Sequence, residues 1–128
     1  MIYLDSSVAL ALLFDKERLP PSSLWTERLV SSRLLEYEIW TRLNAAGAED
    51  ERRNAAKALI ERVGLLALSP ANLERALQPF PVAVRTLDAL HLATMEALRR
   101  ERRDVALASY DRRLIAAARA LGIAIHPL

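Results

Sequence analysis

Uniformly apolar runs of three or four residues alternate along this chain with longer stretches whose apolar positions recur at helical spacing. Ile2-Tyr3-Leu4 reads as a buried strand, and Val8 to Phe14 as an apolar helix capped by Ser6 or Ser7. Pro20-Pro21 breaks the chain. A short helix over Ser22 to Arg28 then leads to a second strand at Leu29-Val30-Ser31. Leu34 to Ala46 carries the stripe Leu35, Ile39, Leu43, Ala46, with Gly47 as its stop. Glu49 to Val63 is a further helix closed by Gly64, and Leu65 to Leu68 a third strand. Ser69-Pro70 is an N-cap followed by proline at the first helical position, opening a short helix to about Gln78. Past the Pro79–Pro81 loop, a long helix is expected from about Asp88 to Arg102. Val105 to Ala108 is a fourth strand, Asp111 to Leu121 a helix closed by Gly122, and Ile123 to Ile125 a last short strand.

Strands separated by helices imply parallel pairing through right-handed crossovers. Strands this short and this uniformly apolar imply helices on both faces. The expected fold is α/β, an α/β/α sandwich around a parallel sheet of four to five short strands, in one domain over residues 1–128. Composition agrees. Hydrophobic residues make up 52% of the chain and aromatic residues only 5%, so Ala, Leu, Ile and Val must build the core.

The chain has no cysteine and two histidines, His91 and His126. Disulfides and thiolate–zinc sites are excluded, and a bound metal would have to be held by oxygen, which suits Mg²⁺ or Mn²⁺. No basic leader precedes Ile2 and no apolar run is long enough to span a bilayer, so a cytoplasmic protein with no membrane partner is expected. The net charge is only +2, but Lys16 and Lys57 are the only lysines, and the rest of the positive charge is arginine, the side chain suited to bidentate phosphate contact.

In doubly covered parallel sheets ligands bind beyond the carboxyl ends of the strands. Four acids fall there. Asp5 follows the first strand, Glu38 lies one turn into the helix after the second, Asp88 opens the long helix, and Asp111 follows the fourth strand. Clustered carboxylates raise one another's pKa unless a cation neutralises them. A hard divalent ion at such a cluster would support phosphodiester hydrolysis. Each acid also has an ordinary reading: Asp5 as a helix cap, Asp111 as a first-turn acid, and Glu38 as an i, i+4 partner of Arg42. Asp88 stands in an apolar run with Thr86 as the better cap, which favours a functional role. Glu36 competes with Glu38, and helical periodicity does not choose between them.

Four stretches then match a known family: Met1-Ile-Tyr-Leu-Asp5-Ser-Ser-Val, Val30-Ser-Ser-Arg-Leu-Leu-Glu-Tyr-Glu38, Arg85-Thr-Leu-Asp88-Ala-Leu-His-Leu-Ala-Thr94 and Ala108-Ser-Tyr-Asp111-Arg-Arg-Leu. The chain resembles a PIN-domain protein, and within that family a VapC-type toxin of a bacterial toxin–antitoxin pair. The resemblance implies a PIN-like sandwich and a Mg²⁺- or Mn²⁺-dependent endoribonuclease with RNA as substrate. It also implies a cognate antitoxin and a homodimer as partners. It makes Asp5 and Asp88 the metal ligands and Glu38 and Asp111 their water-mediated partners. The glutamate six residues beyond the strand-end serine is Glu38, counted from Ser32. Ser7 and Ser109 are mild departures from the family pattern that keep a hydroxyl.

His91 reads first as a packed histidine, with substrate positioning as the alternative. His126 reads as structural, and Arg99, Arg100, Arg102 and Arg103 as a solvated helix end or a phosphate-steering patch. Trp25 and Trp40 read as core or interface anchors, and Leu34, Tyr37 and Trp40 as a face for an antitoxin or dimer contact. Two rivals remain. A phosphotransfer domain would use Asp5 as nucleophile, but neither lysine follows a late strand and no second aspartate stands two residues on. A catalytically silent scaffold that binds RNA or protein would not need four intact acids.

Overall fold

Ile2, Tyr3 and Leu4 form β1 (Ile2–Leu4), and all three side chains are buried, since helices cover both faces of the strand. The computed structural model describes residues 1–128. After β1 come α1 (Ser6–Leu13), a 3-10 turn (Ser22–Thr26), β2 (Leu29–Ser32), α2 (Leu34–Ala45) and α3 (Asp50–Glu61). Then follow β3 (Gly64–Leu66), α4 (Pro70–Ala76), α5 (Thr86–Arg100), β4 (Ala106–Ala108), α6 (Arg112–Ala120) and β5 (Ala124–Ile125).

The five strands pair in parallel in the order β3-β2-β1-β4-β5. The chain builds outward from β1 on one side through β2 and β3, then crosses to the other side for β4 and β5. That reversal opens a crevice at the carboxyl ends of β1 and β4, the usual ligand site of such sheets.

Alternation along β1 divides the core. Ile2 and Leu4 pack with Val8, Leu35, Ile39, Leu43 and Leu59, from α1, α2 and α3. Tyr3 points the other way, among Leu92, Met95, Leu98, Leu107 and Leu114, chiefly from α5 and α6. This is the expected α/β/α sandwich. Trp25 and Trp40 both pack against the first layer, and Arg53 lies over the Trp40 ring at 5.0 Å. Of the three residues proposed as a contact face on α2, only Tyr37 is largely exposed.

Several helix ends differ from the sequence expectation. The expected Ser6 or Ser7 cap on α1 does not form: Asp5 holds the N-cap position with extended backbone, and no side chain caps the helix. The serine hydroxyls are drawn instead to carboxylates, described below. α5 starts two residues before Asp88, with Thr86 already helical. The cap position falls to Arg85, whose carbonyl accepts the Ala89 N–H at 3.0 Å. Gly64 does not close α3. Tight bonds from Arg62 N–H to Leu59 O and from Val63 N–H to Ile60 O finish that helix, and Gly64 opens β3. Ser69 caps α4 as expected, accepting the Asn72 N–H at 3.1 Å with Pro70 at the first position. Gly47 and Gly122 sit at positive φ, 61° and 75°, as helix stops should.

Candidate active site

Asp5 is the first residue beyond β1 and only 6% exposed. Its N–H donates to Ala108 O of β4 at 3.0 Å, so the backbone holds it at the crevice. Its Oδ2 accepts from the Ser7 hydroxyl at 2.6 Å and from the Ser109 hydroxyl at 2.7 Å. Those hydroxyls also brace the loop after β4. Ser7 Oγ accepts the Tyr110 N–H and Ser109 Oγ accepts the Asp111 N–H, both at 2.9 Å. The two serines therefore lock the end of β1 to the start of α6 and fix one oxygen of Asp5.

Burial raises the Asp5 carboxyl above the usual carboxylate range. The two seryl hydrogen bonds pull against this, and the charge of Glu38 adds to the rise. A carboxylate with no capping duty, sunk to this depth beside other acids, is not explained by local structure.

Glu38 arrives from α2. Its Oε2 accepts from the Ser6 hydroxyl at 3.1 Å and its Oε1 meets His91 Nε2 at 2.5 Å. The expected i, i+4 pair with Arg42 does not form. Glu36 turns away and pairs with the exposed Arg33 at 3.1 Å. Asp5, Glu38 and His91 each offer a ligand atom, and these atoms lie within 4.8 Å of one another.

Asp88 and Asp111 stand outside that tight group but within its field. Burial raises the Asp88 carboxyl, and the charges of Asp111 and Asp5 raise it further against the pull of His91 and Arg85. Asp111 is the N-cap of α6. Its Oδ1 accepts the Arg113 N–H at 2.9 Å and the Leu114 N–H at 3.3 Å. Asp88 also borders a pocket of about 460 Å³ flanked by Arg85 and Arg113. A groove of about 700 Å³ between α4 and the start of α5 is mainly apolar and contains none of the four acids.

His91 and Tyr3 were underrated at the sequence level. His91 is 1% exposed, and its Nδ1 meets the Tyr3 hydroxyl at 2.7 Å. Burial alone would lower its pKa, but the hydrogen bond and charge of Glu38, with the charges of Asp5 and Asp88, outweigh burial and raise it. The available signal was chemical: a tyrosine inside a buried strand needs a partner for its hydroxyl. His91, three residues after Asp88, lies on the sheet-facing side of the same helix.

The donor set suits a hard divalent cation: carboxylate oxygens gathered in a buried crevice, two of them on groups whose own environment disfavours ionisation. Comparison with known proteins gives the same direction. The sequence profile of the PIN domain matches residues 2–123. The chain belongs to the PIN-domain family. It is 34% identical to ribonuclease VapC46 of Mycobacterium tuberculosis across 97% of this chain and 95% of the relative. With ribonuclease VapC47 of the same species the identity is 28%, across 95% and 93%. Among solved structures, the PIN fold is shared with M. tuberculosis VapC20, a sarcin–ricin loop cleaving toxin. The TM-score is 0.65 at 20% identity, covering 91% of this chain and 95% of that one. A toxin–antitoxin complex from Klebsiella pneumoniae also superposes with a TM-score of 0.65, at 16% identity and 94% coverage of both chains.

Proposed function

We propose that this PIN-domain chain is the ribonuclease toxin of a toxin–antitoxin pair, a divalent-metal-dependent endoribonuclease hydrolysing RNA phosphodiester bonds. One observation carries the reading: the buried Asp5 carboxylate at the end of β1, with Glu38 brought from α2 into the same ligand-sized cluster. The relatives named as VapC ribonucleases over nearly the full chain support it.

Asp5 and Asp88 would hold the metal, Mg²⁺ or Mn²⁺, with Glu38 and Asp111 acting through its water shell. When bound, the ion would polarise the scissile phosphate and favour the hydroxide form of a coordinated water. Ser7 and Ser109 hold Asp5 in one orientation, and Ser6 does the same for Glu38. Arg85 and Arg113, beside Asp88, are placed to meet the flanking phosphates of the RNA. The partners are an antitoxin protein and a second copy of this chain in a homodimer, acting in the cytoplasm on one PIN unit spanning residues 1–128. No helix is long and apolar enough to cross a membrane.

The test is cleavage of total RNA by the purified chain in Mg²⁺, in Mn²⁺ and in EDTA. Cutting is expected only with metal, and Asp5→Asn and Asp88→Asn should each lower it at least ~100-fold. Equal cutting in EDTA, or full activity in both variants, would remove the metal-nuclease reading. Folded, metal-binding protein that cuts no RNA would favour the silent scaffold.

A further inference from the structure

Tyr3 is the central residue of the central strand, and its phenol is wholly buried on the α5 side of the sheet. The hydroxyl accepts the Ser32 N–H at 3.1 Å and lies 2.7 Å from His91 Nδ1. The two rings meet edge to face, with centroids 5.7 Å apart and planes at 82°. At the far side of the imidazole, Nε2 lies 2.5 Å from Glu38 Oε1. A continuous chain thus runs from the end of β2 through β1 and α5 to a carboxylate on α2.

The hydrogen-bond inventory settles the direction of that chain. An ionised Glu38 carboxylate only accepts, which in a neutral imidazole leaves Nδ1 as the acceptor of the Tyr3 O–H. Nε2 must then carry the ring proton and donate it to Glu38. A protonated ring donates from Nε2 as well, so the contact with Glu38 is the same in either charge state. With Ser6 donating to Oε2, both oxygens of Glu38 are held, one from α1 and one from α5. Both ring nitrogens of His91 are engaged and the ring is inaccessible, so it cannot itself touch substrate.

We infer that Tyr3 and His91 are positioning residues, a buried relay whose task is to fix the orientation of the Glu38 carboxylate toward the metal crevice. This rests on the reading of Glu38 as part of the active centre. A free glutamate samples several rotamers, whereas this one is held before substrate arrives, which is how groups behind an active centre sustain its geometry.

Four full-length proteins test the relay: wild type, His91→Leu, His91→Gln and Tyr3→Phe. In Mg²⁺-dependent RNA cleavage, His91→Leu is expected to lower kcat about 10–100-fold while KM changes by less than about twofold. His91→Gln, whose amide can still donate toward Glu38, should recover most of that loss. Tyr3→Phe should fall between them. Long-range ¹H–¹⁵N spectra of the wild-type imidazole are expected to show Nε2 protonated. Titration calorimetry with Mn²⁺ alone should show weaker binding in His91→Leu than in His91→Gln. Wild-type activity in folded His91→Leu, or a His91→Gln protein no better than His91→Leu, overturns the inference, as does a wild-type ring with Nε2 unprotonated. A wild-type chain that cuts no RNA would count against the proposed function. The ring spectrum and the Mn²⁺ titration would still decide the relay.

Discussion

Asp111 has two duties that one substitution would blur. It caps α6 through Oδ1, and its charge bears on Asp88. Asparagine keeps an acceptor oxygen but not the charge, and alanine keeps neither. Asp111→Asn is therefore expected to stay within about 0.5 kcal/mol of wild-type stability, whereas Asp111→Ala should lose about 1 kcal/mol. Both should cleave RNA poorly. Chemical denaturation alongside a cleavage assay separates the cap from the charge, and equal activity in Asp111→Asn and wild type would confine Asp111 to capping. The residue scale also shows where sequence reading fell short. Position named Asp5, Asp88 and Asp111, because each follows a strand or opens a helix, and left Glu36 and Glu38 as rivals on α2. Their hydroxyl partners were misassigned. Ser6 and Ser7 read as caps because helix starts favour serine, and nothing in a linear pattern says that two carboxylates will compete for those hydroxyls and win.

At the scale of elements, periodicity located every strand and helix, and the errors lie at the ends. Gly64 illustrates why. Glycine after an apolar stripe usually marks a helix stop, but the last turn of α3 tightens two residues sooner and the glycine begins a strand. Gly122 is the opposite case. Its φ of 75° closes α6, and its N–H donates to Arg119 O at 2.9 Å. Gly122→Ala would force a side chain into the left-handed region and should cost about 1 kcal/mol. A lower melting temperature with an unchanged fold is the expected reading, and an unchanged melting temperature would contradict the assignment. Tertiary contacts also tie α4 to its surroundings: Arg75 pairs with Glu96 of α5 at 2.8 Å and lies 4.0 Å over the Phe80 ring.

For the whole molecule, the carboxylate crevice should make the metal-free fold sensitive to pH. Asp5 and Asp88 have carboxyls raised by burial, so each binds its proton more tightly when folded. Their contribution to stability is present in acid, below the ordinary value of 3.8, and is lost as pH rises through the raised folded values. His91 is also raised. Its contribution holds below 6.5 and disappears as pH climbs through its folded value. In EDTA these three groups therefore weaken the fold as pH rises, and Asp5→Asn should melt higher than wild type at pH ~8. Added Mg²⁺ should raise the wild-type melting temperature more at pH ~8 than at pH ~5, because protons compete with the ion for the same oxygens. Thermal melts with and without Mg²⁺ check both points. A variant that melts lower than wild type in EDTA would show that the Asp5 charge is already compensated by the protein.

Parallel pairing and the covering of both faces were readable along the chain, because hydrophobic periodicity and helix-breaking residues act locally, whereas the order of the strands in the sheet came from the tertiary structure. The choice of Glu38 over Glu36 came from family resemblance, and the fold supplies its physical cause: Glu36 faces Arg33 on the surface, and Glu38 faces Ser6 and His91 in the crevice. The relay from Tyr3 to Glu38 was beyond any linear reading. Its members are 88 and 53 residues apart at its two links. Such contacts exist only once the crossover between β1 and β4 has closed, since hydrogen-bond partners across a sheet are set by packing and not by neighbours in sequence.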